Sequence, residues 1–310
     1  MAPRRGGSSS SSSYSSSCPG AFETTDSRVY LACIVIFFVV YLGIALSLSG
    51  ARKKAGTGKR LIGAPYIVAL LFMLIAYALD IASTVLVECE TLAGSSYYSI
   101  AIAMTVFYYL AYWTLLFVVV YMLNTTLRDH TIVIIKIVLL AIVGIVFAIT
   151  AAHIGVSSWN LWAVTDAGYW SNARLIIRSA KELRVAWSVL YLLAVLAAGV
   201  LALMSSRQYG SKLLIWVSAV IFSMALWSII AIVFAASNLT DGYPTMTFET
   251  SAALTYVQSF FQALSFILIM CIAKRGTWSK PTIPAANTTP YTQNHHAYAH
   301  AAGPQQPSYK

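Results

Sequence analysis

Charge is scarce in this chain. Only 10% of its 310 residues are Asp, Glu, Lys or Arg, while 59% are hydrophobic. Soluble domains carry about 25% charged residues, so too little polar surface exists here to coat a water-soluble globule. Proline is missing where it would matter. The long apolar stretches hold essentially none inside, and Pro65 opens its stretch, where a helix tolerates it. That argues against the broken helices with which many alternating-access carriers bind substrate. Cysteine is sparse too: Cys18, Cys33, Cys89 and Cys271 are too few and too scattered for a disulfide scaffold or a zinc site. An apolar leader is also lacking, because Met-Ala-Pro-Arg-Arg-Gly-Gly runs straight into serines. The first span is therefore expected to act as its own insertion signal.

What the chain does have is seven long apolar stretches, at 29–49, 64–87, 97–123, 131–152, 183–204, 213–236 and 251–273. Each is as long as the 20 or so residues that cross a bilayer's hydrocarbon core as a helix. They are apolar around most of their circumference rather than along one stripe, which a soluble helix bundle would show. The expected fold is all-α: a polytopic membrane protein with a seven-transmembrane-helix bundle, its main partner the lipid bilayer of the plasma membrane or an endomembrane of the secretory route.

The formal net charge of +10 does not point to nucleic acid, because the cations sit in loops beside the spans. Arg52, Lys53, Lys54, Lys59 and Arg60 fill the first loop, Arg128 the third, Arg207 and Lys212 the fifth, and Lys274, Arg275 and Lys280 follow the last span. The second loop has only Glu88 and Glu90, the sixth only Asp241 and Glu249. Lys and Arg stay cytoplasmic, so the N-terminus is expected outside and the C-terminus inside. The fourth loop dissents with Arg174, Arg178 and Lys181. There, 173–182 reads as an interfacial helix running into the fifth span: those three cations share one face, and Ile176, Ala180, Leu183 and Trp187 the other. Trp159, Trp162, Tyr169 and Trp170 precede it as an aromatic belt. A structural lid and a basic mouth for an anionic ligand are the two readings.

The serine-rich segment 1–28 and the segment 274–310 read as disordered tails, the second rich in Pro, Thr, Asn, Gln, Ala and His. The cytoplasmic tail is where a soluble partner would bind. Of three Asn-x-Thr sequons, the expected topology leaves Asn238 as the glycosylation candidate and puts Asn124 and Asn287 in the cytosol. Cys18 and Cys89 fall on the oxidising side and are the disulfide candidate, a bridge that would pin the N-terminal tail to the second loop.

Asp80 is the sole acidic residue deep inside a span, where an ionisable group normally faces the bundle interior. Tyr77, Asp80 and Thr84 share a face of span two; Ser251, Thr255, Gln258, Gln262 and Ser265 line one face of span seven. Thr105, Tyr108, Tyr109 and Tyr112 add polar groups on span three. At 1.5 Å rise per residue, these groups fall in the outer half of the bilayer, level with Ser188, Tyr191 and Trp227. The expectation is a polar pocket opening outward, with Asp80, Tyr77, Thr84, Thr105, Tyr108, Tyr112, Gln258 and Gln262 around a small ligand or solute. The plainer reading is interhelical hydrogen bonds that glue the bundle.

The layout resembles that of G-protein-coupled receptors. Ile75-Ala-Tyr-Ala-Leu-Asp80 is similar to their span-two Leu-Ala-x-x-Asp pattern, whereas span three ends Leu123-Asn-Thr-Thr-Leu-Arg128-Asp129 in place of Asp-Arg-Tyr. Trp227 has no nearby proline, and the last span has no Asn-Pro-x-x-Tyr. What the resemblance implies is an architecture; it carries over no activation residues and leaves G-protein coupling open. The last span lacks a Schiff-base lysine, so a retinal protein is excluded. Neither a Gly-x-Ser-x-Gly elbow nor a zinc-ligand set (His130 and His153 lie at opposite ends) suggests an enzyme, and no cofactor is implied. The expected function is receptor-like sensing, ahead of a lipid or solute carrier and of a scaffold without ligand.

Overall fold

A computed structural model describes residue 18 and residues 22–89, 94–127, 133–163, 170–207, 211–237 and 246–275; side chains at 57, 94, 95, 170–177 and 248 stand outside that description. The Ser-rich tract, His130, Asn238 and the tail beyond 275 therefore lie outside the described residues, as do the side chains of Arg174 and Trp170.

Among the described residues seven long helices form: α1 (Thr25–Lys54), α2 (Ala64–Glu88), α3 (Gly94–Phe117), α4 (Val133–Ala163), α5 (Trp170–Ser206), α6 (Ser211–Ser237) and α7 (Phe248–Lys274). All seven are long and apolar enough to cross a membrane, with peak hydropathies of 1.8 to 2.9. No strand occurs among the described residues. Local chemistry sets the ends. Thr24 caps α1, its hydroxyl accepting from the Ser27 amide at 3.3 Å, and Thr247 caps α7 in the same way through Thr250. Arg52, Lys53 and Lys54 sit in the last turn of α1, where cations complement the helix dipole.

Each helix packs on its neighbours in sequence, and α7 returns to α1, closing a ring. The connections are at most about ten residues, spanning at most ~35 Å, while α6 and α7 are about 40 Å long. Successive helices must therefore run antiparallel. One end of the ring gathers the starts of α1, α3, α5 and α7 (the amino end); the other gathers their finishes (the carboxyl end).

The outward faces are apolar: Ile36, Leu46, Ile134, Ile215 and Phe222 are all more than half exposed. In water such a belt would be an aggregation surface; in hydrocarbon it is ordinary. The chain is an integral, multi-pass membrane protein.

The helices exceed the expected spans where polar residues begin. Backbone hydrogen bonding continues past the point at which hydropathy falls. The fourth span, expected to end at 152, runs as helix to Ala163 and so carries His153, Ser157 and Asn160. Segment 173–182 runs into the fifth span as part of the unbroken 37-residue helix α5. At 1.5 Å per residue α5 is about 55 Å long, well beyond a ~30 Å hydrocarbon core, so its first turns project past it.

Helix α3 continues through a π turn (Val118–Leu123) into Asn124–Thr126. The turn frees carbonyls, and Asn124 collects them: Nδ2 donates to Val119 O at 3.3 Å, Val120 O at 3.0 Å and, across to α5, Ala198 O at 3.3 Å. Asn124 is 1% exposed, so the folded chain offers no glycan acceptor there. At the carboxyl end, a 3₁₀ turn (Gly56–Arg60) seals against α7. A Cβ at Gly58 would strike the Ala273 carbonyl oxygen.

Candidate functional site

Among the described residues, the carboxyl half of the ring is packed with buried side chains. Tyr66, Met73, Leu116, Val120, Val217, Met224 and Phe266 are at most 1% exposed. Polar groups there are tied to helix backbones: Tyr66 donates to Phe266 O at 2.9 Å, Ser223 to Phe261 O at 2.8 Å, and Ser265 to both Ser223 Oγ and Phe261 O.

Above this plug an aromatic layer crosses the bundle. Tyr41 meets Tyr77 at 5.3 Å between centroids, Tyr77 meets Tyr108 at 5.6 Å, Tyr112 meets Trp227 at 5.2 Å, and Trp227 meets Tyr191 at 4.8 Å. Edge-to-face and offset pairs at these separations are favourable contacts, so the rings form a continuous floor.

Two cavities stand on that floor and open toward the amino end. The larger, about 520 Å³, is walled by Thr105, Tyr108, Tyr109 and Tyr112 of α3, His153, Ser157 and Asn160 of α4, Lys181, Arg184, Trp187 and Ser188 of α5, Trp227 of α6 and Gln258 of α7. Its volume lies within the 300–1,000 Å³ range of small-ligand pockets. The smaller, about 180 Å³, is lined by Tyr30, Cys33, Tyr77, Asp80, Tyr256, Ser259 and Gln262 among others, and shares Tyr108, Tyr112 and Gln258 with the first.

Asp80 is 9% exposed and held by two phenols: Tyr30 donates to Oδ1 at 3.4 Å, Tyr108 to Oδ2 at 3.3 Å. Both contacts exceed the usual 2.7–2.8 Å of an O–H···O bond, so the carboxylate is loosely held. Of the residues read from sequence, Asp80, Tyr77, Tyr108, Tyr112, Gln258 and Gln262 meet around the smaller cavity. Thr105, Tyr108, Tyr112 and Gln258 line the larger one. Thr84 joins neither. Its hydroxyl donates to the Asp80 carbonyl at 2.8 Å, and it lines a third recess with Tyr30 and Glu88.

Sequence reading missed the α4 wall, although it had set Ser188 of α5 at the level of the pocket. His153 abuts Tyr109 edge to face at 4.4 Å, and the Trp187 indole donates to Thr150 Oγ1 at 2.9 Å. The signal was present in the i, i+4, i+7 spacing of His153, Ser157 and Asn160, had the helix been carried past 152. Tyr30 had no such signal, sharing no polar helical face with other residues of its largely apolar stretch.

Three buried donors at the floor lack a partner in the protein: the Tyr41 hydroxyl and Trp227 Nε1, both on fully buried side chains, and Gln262 Nε2, with Gln262 2% exposed. An unpaired buried donor costs about 1–3 kcal/mol, so each marks a place where a ligand atom or water would be stabilised.

At the amino end Cys18 is bonded to Cys89, their Cα atoms 5.0 Å apart. Beside it the Phe22 amide donates to Glu88 Oε2 at 3.0 Å. These contacts tie the segment before α1 to the end of α2, alongside the recess of Tyr30, Asp80 and Glu88. Compared with known proteins, the chain matches no family model, no curated protein and no solved structure.

Proposed function

We propose that the chain is a receptor-like heptahelical protein that senses a small ligand in its amino-end cavities, with the amino end outside the cell or in the lumen. The observation that carries this reading is the asymmetry of the interior. Polar and aromatic walls enclose open volume at one end, and a tight apolar plug fills the other. A carrier needs a polar route past Gln262 to the opposite face. One turn beyond it, Ser265 is buried and committed to Ser223 and Phe261, and Phe266, Leu268, Ile269 and Ile272 follow, all buried. A scaffold without ligand would have no need of the open volume.

The orientation rests on the basic carboxyl-end loops, and the tail after Lys274 is then the cytoplasmic surface available to a partner. The test is a ligand screen on purified full-length protein, read by thermal stabilisation, with Asp80→Asn alongside. A ligand that binds N alone stabilises by mass action, about 2.7 kcal/mol at a hundredfold excess over Kd. Hits whose shift changes in Asp80→Asn support the reading. Accumulation of a solute inside proteoliposomes would contradict it in favour of a carrier.

A further inference from the structure

The described lining of the larger cavity carries charge of one sign. Its mouth carries Lys181 and Arg184, three residues apart and therefore on one face of α5. No Asp or Glu stands among its described lining residues. Asp80 belongs to the smaller cavity, where the phenols of Tyr30 and Tyr108 face its two oxygens.

From Arg184 the same face of α5 descends through Ser188 to Tyr191, about 10 Å along the axis. Tyr191 packs on Trp227, whose indole N–H finds no acceptor in the protein although the side chain is wholly buried. Between the cations above and this donor below stand the rings of Tyr109, Tyr112 and Trp187. The cavity thus offers positive charge at the mouth, aromatic walls in the middle and an unused hydrogen-bond donor at the bottom.

We infer that the cavity takes an aromatic or apolar anion, deepening the ligand-site reading on which this rests. The anionic group meets Arg184 and Lys181, the body lies between Tyr109, Tyr112 and Trp187, and an acceptor atom reaches the Trp227 indole. Arg presents a fixed fork of donors suited to carboxylate, sulfonate or phosphate oxygens. A cationic ligand would meet like charge at the entrance.

The test uses full-length protein in phosphatidylcholine nanodiscs and three probes on one ring: methoxynaphthoate, methoxynaphthylmethylamine and uncharged methoxynaphthalene. Calorimetry is expected to show the acid binding, and the amine not. Arg184→Gln, at an exposed position, should weaken the acid roughly tenfold, the loss of about one charge-assisted hydrogen bond. Trp227→Phe should weaken methoxynaphthoate but leave plain naphthoate unchanged. If phosphatidylglycerol in the disc displaces the acid, the anion is a lipid phosphate; if not, it is a soluble acid, and either keeps the inference. An amine binding as tightly as the acid, or an acid indifferent to Arg184→Gln, overturns the inference while leaving the cavity a ligand site. Should none of the three bind, the inference falls, and the ligand-site reading is decided separately by the thermal-stabilisation screen.

Discussion

Tyr108 donates its phenolic hydrogen to Oδ2 of Asp80 across 3.3 Å, joining α3 to α2 at the boundary between the two cavities. Tyr30 approaches the other oxygen from α1 at 3.4 Å. Since both bonds are long, an amide of the same shape should serve assembly nearly as well. Asp80→Asn is expected to cost about 1 kcal/mol or less in thermal unfolding, within the net worth of one hydrogen bond. Asp80→Leu leaves both phenols without their acceptor and should cost more. Equal, severe loss of folded protein in both variants would show that the charge itself holds the bundle.

Hydrogen bonds across the carboxyl-end seam should be individually weak. Tyr66→Phe removes the bond to Phe266 O, and Ser223→Ala those to Phe261 O and Ser265. Such bonds average about 0.6 kcal/mol in a membrane protein where they were measured, with a maximum near 1.7. Denaturant titration of each variant in mixed micelles checks this; a loss well above that maximum would mean that these bonds, not packing, hold the plug.

Asn124 gives a prediction against size. Alanine there forfeits three N–H···O contacts, at a cost of about 1–3 kcal/mol. Aspartate is nearly isosteric, yet it brings a carboxylate to the carbonyls of Val119, Val120 and Ala198 with no hydrogen to offer. Asn124→Asp should therefore be the worse of the two, read as monodisperse yield and thermal midpoint. The opposite order would mean the π turn does not depend on that amide.

Cys18 and Cys89 are bonded, while Cys33 and Cys271 are free. Alkylation of denatured, unreduced protein should modify the latter pair alone, and prior reduction should expose all four thiols. The bridge closes a loop of 71 residues in sequence separation, for which chain entropy gives roughly 4 kcal/mol. Cys18→Ser and Cys89→Ser should lower stability equally, and the double variant no further.

Membership of the bundle was legible because hydropathy over a long window needs no knowledge of partners: α2 was read as 64–87 and forms as Ala64–Glu88. Boundaries were less so. Hydropathy at His153, Ser157 and Asn160 falls although the helical ladder continues, and with that error went one wall of the larger cavity. Helical spacing did bring Tyr77, Asp80, Gln258 and Gln262 together, since each polar face had somewhere to turn except lipid. It could not separate Thr84, which satisfies itself on its own helix. The π turn left no trace in Val118–Leu123, a run as apolar as any helix interior, and only the buried amide of Asn124 betrays it.

The most direct test concerns which end of the ring faces outward, because a sensing cavity requires the amino end to be accessible. Lys53, Lys54 and Lys59 lie at the carboxyl end, whereas Lys181 lies at the mouth of the larger cavity. A membrane-impermeant amine reagent applied to intact cells displaying the protein should modify Lys181 and spare the other three until the cells are permeabilised. Labelling of Lys53, Lys54 or Lys59 on intact cells, with Lys181 protected, would place the cavities in the cytosol and contradict the receptor reading.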